Sequence, residues 1–131
     1  MPPICPKRVR AALSQVDPAR QRSGWPVGLR DGALLALVAA GLSAEEVAGL
    51  QASAITMDRS HGSLQIEVCR HGITWRVVLP MDLGSRLLAW LTERRLWAVP
   101  ALVITGPQGP LSPVAIHQVL FRYWQQGRAR E

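Results

Sequence analysis

One stretch near the start of this 131-residue chain decides its fold. It reads Gly28-Leu29-Arg30-Asp31-Gly32-Ala33-Leu34-Leu35-Ala36-Leu37-Val38-Ala39-Ala40-Gly41-Leu42-Ser43-Ala44-Glu45-Glu46-Val47-Ala48-Gly49-Leu50. Its first half is so dense in leucine, valine and alanine that it predicts a largely buried helix. Gly41 lies where a left-handed residue would end that helix. Ser43 and Glu46 have the spacing of a capping box, which predicts a second short helix directing Val47 and Leu50 at the same core.

The composition predicts a folded globular chain with no membrane segment. Hydrophobic residues make up 48% of the sequence, and 131 residues are enough for one domain with a core. No apolar run approaches the roughly 20 residues that a membrane helix needs. Met1 to Pro6 also lacks the apolar segment of a signal peptide. Cys5 and Cys69 have no metal-ligand spacing, so we expect a reduced, cytoplasmic protein without metal or cofactor.

The charge balance allows a polyanionic partner. Fifteen lysine and arginine residues against nine acidic residues give a formal net charge of +6. Such an excess is a necessary feature of many nucleic-acid-binding proteins, but by itself it is equally compatible with a well-solvated surface.

The elements on either side of the central stretch complete the predicted fold. Residues 1–6 form an irregular tail, residues 7–131 a single domain, residues 7–16 a short helix and residues 17–27 a loop. Three strands follow at 54–58, 63–68 and 74–79, with turns at 58–62 and 70–73. A helix at 81–98, a short strand or link at 102–105, and a loop at 106–110 come next. Ser112 as N-cap and Pro113 at the first helical position begin a last helix, which ends near Gly127. The predicted class is α+β, mainly helical with a small three-stranded antiparallel sheet.

The central stretch resembles the start of the catalytic domain of tyrosine recombinases, the phage integrase family. In that family an apolar helix after Arg-Asp is followed by Thr-Gly-Leu-Arg-x-Ser-Glu-Leu. The corresponding run here is Ala40-Gly41-Leu42-Ser43-Ala44-Glu45-Glu46-Val47, so Ser43 stands at the position of the first catalytic arginine. The family's order of helices and strands matches the predicted order over nearly the whole chain.

The predicted turn between the second and third strands carries a second part of the resemblance. The family has a catalytic lysine in a pattern like Lys-Gly-x-Lys-x-Arg-x-Val-Pro-Leu. This chain reads His71-Gly72-Ile73-Thr74-Trp75-Arg76-Val77-Val78-Leu79-Pro80, which places His71 on or beside the lysine position.

The family's second catalytic cluster does not occur in these 131 residues. That cluster is His-x-x-Arg, then His or Trp, then a nucleophilic tyrosine. His117 and Arg122 are five positions apart, and the single tyrosine, Tyr123, lies on the helix that precedes the cluster. Strand cleavage needs an in-line nucleophile, charges facing the non-bridging oxygens and an acid for the leaving group. We therefore expect no catalytic residues and no recombinase activity.

Without catalysis, DNA binding is the remaining function that the resemblance implies. In the family, the turn between strands two and three approaches the minor groove and the helix after the Pro-Leu-Ser loop faces the major groove. Carried over by position, the DNA-binding candidates are Arg70, His71 and Arg76 in the sheet, and His117, Gln118 and Arg122 on the last helix. Such side chains suit phosphate contact and base-edge readout. The prediction is a catalytically inactive, recombinase-like DNA-binding protein in a regulatory or accessory role, in a bacterial or mobile-element setting.

Two other interpretations remain open at this stage. Residues 41–56 also resemble a helix-turn-helix, which would make the chain a transcription regulator, although residues 55–79 read as strands. Alternatively, the chain is an interaction module, a recombinase remnant that binds a second copy of itself or a full-length recombinase. We expect that exposed tryptophans together with little affinity for DNA would favour this last alternative.

Overall fold

The computed structural model describes residues 6–22, 24–58, 63–93, 102–106 and 109–129. The helices are α1 (Pro6–Leu13), α2 (Val27–Ala39), α3 (Ala44–Ala48), α4 (Met81–Glu93) and α5 (Pro113–Ala129). The strands are β1 (Ile55–Asp58), β2 (Ser63–Arg70), β3 (Ile73–Leu79), β4 (Thr105–Gly106) and β5 (Gly109–Pro110). β1, β2 and β3 form an antiparallel sheet in that order, and β4 pairs with β5. The predicted α+β class with a three-stranded sheet is confirmed.

Helix α2 is the centre of the core, as its sequence predicts. Every residue from Arg30 to Val38 is buried, and the helix packs between α1 and α4. Three of its leucines, Leu34, Leu35 and Leu37, have no accessible surface. Burying each such side chain contributes about 1.5–3 kcal/mol. This burial from all sides explains why the helix has no polar stripe.

The corner between α2 and α3 has both predicted end structures. Gly41 takes φ +110, and the Leu42 amide donates to the Leu37 carbonyl over 3.2 Å, which is the long bond of a Schellman motif. The Ser43 hydroxyl accepts from the Glu46 amide over 3.1 Å, and Glu46 Oε1 accepts from the Ser43 amide over 2.9 Å. The capping box is therefore complete, and the corner is fixed by local hydrogen bonds.

The β2–β3 hairpin has the tightest connection that an antiparallel pair allows. Arg70 pairs with Ile73, so the turn consists of His71 and Gly72 alone. Both have positive φ, +53 and +77, which is the backbone of a type I′ turn. Histidine is among the residues that tolerate this conformation, and glycine adopts it without strain.

Several predicted boundaries differ from the structure. Helix α1 begins at Pro6 and ends at Leu13 rather than Val16, since the next three amides bond to carbonyls three residues back and tighten the chain out of the α-helix. The segment predicted as a loop at 106–110 contains the ends of the short β4–β5 pair. Helix α5 continues to Ala129, two residues beyond its predicted end. Residues 1–5, 59–62 and 94–98, for which a tail, a turn and the end of α4 were predicted, lie outside the described residues.

The helix-turn-helix interpretation of residues 41–56 is wrong. Helix α3 would be its first helix, but no second helix follows: Ala52–Ala54 form a single 3₁₀ turn and Ile55 begins β1. Ile55 pairs with Ile66 of β2, so the segment that would form a recognition helix is part of the sheet instead.

Candidate nucleic-acid interface

The tip of the β2–β3 hairpin presents two of the predicted contact residues to solvent. His71 is exposed in the turn, and Arg76 is exposed on β3, directly opposite Glu67 of β2. Within the described residues, Arg76 makes no hydrogen bond or ion pair with another side chain. Its guanidinium is therefore available to an external anion, in the position where the resemblance expects one.

Arg70 is in a different situation, although it lies on the same hairpin. Its Nε donates to Glu46 Oε2 over 2.7 Å, and its Nη2 donates to Glu46 Oε1 over 2.8 Å. The same Nη2 also donates to the Gly41 carbonyl over 2.9 Å. This bidentate pair, helped by the Ser43 bonds, lowers the pKa of Glu46, while partial burial opposes the shift. The Glu46 carboxylate in turn raises the pKa of Arg70. The charge of Arg70 is thus largely compensated inside the protein.

Helix α5 carries the second group of predicted contact residues. Gln118 and Arg122 are four residues apart and both are exposed, so they share one outward face, while His117 is half-buried beside them. The Ser112 hydroxyl accepts from the Ala115 amide over 3.1 Å, as predicted for an N-cap. Two apolar side chains, Val114 and Phe121, are also more than half exposed on this helix. The outward surface of α5 is therefore mixed, with polar groups available for contact and apolar groups between them.

A buried polar cluster fixes the opposite face of α5. Tyr123 is 2% exposed, and its hydroxyl donates to Asp31 Oδ2 over 2.7 Å. Asp31 Oδ1 accepts from Arg30 Nη2 over 2.7 Å, so both carboxylate oxygens have partners. Burial, with the adjacent Asp31 charge, raises the pKa of Tyr123 to about 12, and Arg20 opposes this shift. The sequence analysis assigned Tyr123 no chemical role, and the structure shows that it is a buried hydrogen-bond donor to Asp31.

The two positions where the resemblance expects catalytic groups are joined through Glu46. Its Oε1 atom accepts from both the Ser43 amide and Arg70, and Arg70 is the residue directly before His71. The Ser43 hydroxyl is occupied as a capping acceptor and carries no charge. No cluster of three potential metal ligands is found among the residues that the structure describes.

The sequence did not indicate Glu46 as the partner of Arg70, or Asp31 and Arg30 as the buried pair that binds Tyr123. A signal was present for Asp31 and Arg30, because adjacent charges inside an apolar helix must find partners when the helix is buried. No signal pointed from Glu46 to Arg70, since the capping box already accounts for Glu46.

An open groove of about 460 Å³ beside the hairpin has the wrong charge for DNA. It lies between α3 and β2, and three of its lining residues are acidic, namely Glu45, Glu46 and Glu67. The exposed, free Cys69 also lines it. Glu46 is paired with Arg70, but Glu45 and Glu67 form no ion pair among the described residues, and their negative potential repels phosphate. This groove is therefore not part of the candidate interface.

Comparison with solved structures gives the fold a clear precedent. The structure superposes on XerA recombinase with a TM-score of 0.69 at 12% sequence identity, covering 98% of this chain and 44% of that one. It also matches XerH site-specific recombinase bound to difH substrate in a pre-cleavage complex, with a TM-score of 0.71 at 20% identity. The fold is recombinase-like. XerH in a post-cleavage complex with palindromic difH gives a TM-score of 0.72 at 20% identity.

The match extends over only part of these recombinases. Each XerH match covers 95% of this chain but 36% of the XerH chain, so the present sequence spans less than half of the length of its structural neighbours. No protein-family model and no curated protein sequence matches the chain. Among the described helices, none is long and apolar enough to cross a membrane.

Proposed function

We propose that this chain is a recombinase-like DNA-binding protein that does not cleave DNA and that acts in an accessory or regulatory role. The observation that carries the proposal is the recombinase-like architecture with Arg76 and Arg122 exposed at the two predicted contact surfaces. Two of the structural neighbours are recombinases bound to their DNA substrate.

The chemistry of the two surfaces supports duplex DNA as the partner. Arg76 and Arg122 are exposed cations, and each suits a phosphate oxygen. Gln118, on the same face of α5 as Arg122, can donate to and accept from a base edge in the major groove. His71 and His117 add ring N–H donors near these cations. The formal net charge of +6 provides the long-range attraction that brings a polyanion to these side chains.

Two properties of the chain support the absence of strand cleavage. Ser43 is neutral at the position where the resemblance expects a catalytic arginine, and losing one such stabilising group typically costs about 10²–10³ in rate. Tyr123, the one tyrosine in the sequence, is buried with its hydroxyl bonded to Asp31. A phenol whose pKa is raised and whose oxygen is inaccessible cannot attack phosphorus. A protein that occupies a recombination site without cutting it would modulate a complete recombinase, which is the basis of the accessory role.

The deciding experiment measures binding to random-sequence duplex DNA by fluorescence anisotropy while the salt concentration is varied. We expect affinity to fall linearly on a double logarithmic plot, with a slope of about −0.9 for each neutralised phosphate. In parallel, supercoiled plasmid should stay uncut, and no covalent protein–DNA complex should be trapped by denaturation. Absence of binding at low salt would reject the proposal that the protein binds DNA. A covalent complex would reject the proposal that it does not cleave DNA.

Self-association, or binding to a full-length recombinase, is a second candidate with its own supporting observation. Strand β3 pairs only with β2 among the described strands, and Ile73, Trp75 and Val78 on it are each more than half exposed. An edge strand with exposed apolar side chains is a typical site of association. Sedimentation velocity over a range of protein concentrations distinguishes the candidates: a dimer that does not bind DNA would favour this one.

A further inference from the structure

The ion pair between Arg70 and Glu46 joins the base of the hairpin turn to the α2–α3 corner. We propose that these two side chains position the β2–β3 hairpin for DNA contact, and that Arg70 does not itself neutralise a phosphate. The inference rests on the proposed DNA binding and extends it by giving the two hairpin arginines different roles. Arg76 contacts DNA, whereas Arg70 positions the hairpin.

The first argument is the rigidity of the anchor. Glu46 is held on α3 by its bond from the Ser43 amide, and the Gly41 carbonyl belongs to the turn that ends α2. Arg70 therefore makes three hydrogen bonds to a corner that is already fixed by its own backbone. A planar guanidinium bound to two carboxylate oxygens and one carbonyl fixes the end of the strand that carries it, in both direction and distance from the α2–α3 corner.

The second argument is that little else holds the hairpin tip. Ile73 and Trp75 point to the core side of the sheet, in register with Arg70 and Val68, yet they are 58% and 52% exposed. The tip thus extends past the core and lacks the packing that holds Val68 and Leu79 in place. An isolated two-stranded hairpin is marginally stable, so a tip of this kind opens easily unless a specific contact holds it.

The third argument is charge. The Arg70–Glu46 pair has no net charge, and its carboxylate lies next to Glu45 and Glu67 at the acidic groove. The Arg70 donors that face Glu46 and the Gly41 carbonyl are already used inside the protein, so a phosphate at Arg70 would have to displace them. Arg76 lies opposite Glu67 but makes no hydrogen bond or ion pair to a described side chain, so its donors, unlike those of Arg70, remain available to DNA.

Glu46→Gln distinguishes positioning from direct contact, because the two roles predict opposite effects. If Arg70 binds phosphate and Glu46 merely restrains it, removing the carboxylate charge frees the arginine and tightens DNA binding. If the pair positions the hairpin, the same change weakens binding. Glutamine at this position still serves the capping box, so α3 is preserved.

The experiment measures the salt-dependent affinity for duplex DNA of the wild type and of Glu46→Gln, Arg70→Gln and Arg70→Lys. We expect all three variants to bind roughly threefold to tenfold more weakly, lysine included, because an ammonium cannot reproduce the bidentate geometry. Hydrogen exchange should report faster exchange of the β2 and β3 amides in each variant. Arg10→Gln breaks another ion pair between elements, the one from α1 to Asp82, and serves as the matched control with unchanged affinity.

Adding Arg70→Gln to an Arg76→Gln background separates direct from indirect action. If Arg70 acts through the hairpin contacts, it removes no further phosphate, and the salt slope stays that of Arg76→Gln alone. A further loss of about 0.9 in the slope, or tighter binding by Glu46→Gln, would overturn the inference while leaving DNA binding in place. Failure of the wild type to bind DNA at all would instead reject the proposed function, and this inference with it.

Discussion

The hydroxyl of Tyr123 donates to Asp31 Oδ2 over 2.7 Å and so joins α5 to α2 inside the core. Because Arg30 binds the other carboxylate oxygen, the buried charge of Asp31 is paired and its hydrogen-bonding capacity is used. Together with the buried Ile116, Val119 and Leu120, Tyr123 defines the inward face of α5, and Gln118 and Arg122 lie on its exposed face. The packing of α5 in the core thus determines which of its side chains are presented on the surface.

Tyr123→Phe should destabilise the protein by about 1–3 kcal/mol, because it leaves a buried carboxylate oxygen without a donor. Urea denaturation followed by tryptophan fluorescence measures the change in the free energy of unfolding. Thr74→Val is a suitable control, since it removes an exposed hydroxyl from β3 and should change stability by less than about 0.5 kcal/mol. Equal stability of Tyr123→Phe and wild type would show that the bond contributes nothing.

The single tyrosine makes its ionisation directly observable by phenolate absorbance. The folded pKa of Tyr123 is raised to about 12 from an ordinary value of 10.0, chiefly by burial. Its contribution to stability is therefore complete below pH 10 and is lost as the pH rises from 10 to about 12. Native protein should form phenolate only near pH 12, whereas protein unfolded in urea should titrate near 10. Native titration near 10 would contradict the buried environment.

Acid should remove the contribution of the Glu46–Arg70 pair. The pKa of Glu46 is lowered from 4.5, chiefly by the hydrogen bond from Arg70, so the pair stabilises the fold above pH 4.5. This contribution is lost as the pH falls through the folded pKa. The difference in unfolding free energy between wild type and Glu46→Gln should therefore be constant near neutral pH and shrink in acid. A difference independent of pH would point to packing rather than charge.

Gly41→Ala should destabilise the α2–α3 corner through the backbone alone. A Cβ at this position would meet no atom within 4 Å, but the φ of +110 is one that alanine rarely adopts. The expected cost is about 1–3 kcal/mol in the free energy of unfolding. Gly49→Ala is the matched control, because Gly49 has φ −93 and its added Cβ would make only an ordinary contact. Equal thermal midpoints for the two variants would exclude the backbone explanation.

Arg122→Gln should weaken DNA binding about equally for all sequences and reduce the salt slope by about 1, as expected for a phosphate contact. Arg22→Gln, which removes an exposed arginine from the loop before α2, should leave both quantities close to the wild-type values. Anisotropy titrations at several salt concentrations measure affinity and slope together. If the two variants lose affinity equally, the effect reflects net charge rather than a contact at α5.

The sequence alone gave the class of the fold, the three strands, the buried helix α2 and the corner that follows it. Each of these depends on interactions between residues close in the chain, such as the hydrophobic period, the Ser43–Glu46 cap and the positive φ of Gly41. Local signals were weaker at the ends of the helices. Helix α1 ends three residues before its predicted end, and α5 continues two residues beyond its predicted end. At 51–56 they allowed both the predicted strand and the alternative recognition helix, and the pairing of Ile55 with Ile66 decided for the strand.

The candidate site was less predictable, because it depends on which charged side chains already have partners. The sequence offered no difference between Arg70 and Arg76, which are both arginines on one hairpin. The structure buries Trp90 completely but leaves Trp75 52% exposed at the sheet edge. Such differences arise from where each strand lies relative to the core.

The amino-acid sequence by itself determined the helices, the strands and the recombinase-like order in which they occur, since these follow from periodicity, caps and turns. Only the tertiary structure decided which polar groups form hydrogen bonds within the protein and which remain available to an external partner. Arg70 and Glu46 are 24 residues apart, and Tyr123 and Asp31 are 92 apart. Hydrogen bonds over such separations form only after the elements have packed, because packing alone brings their atoms to within 3 Å.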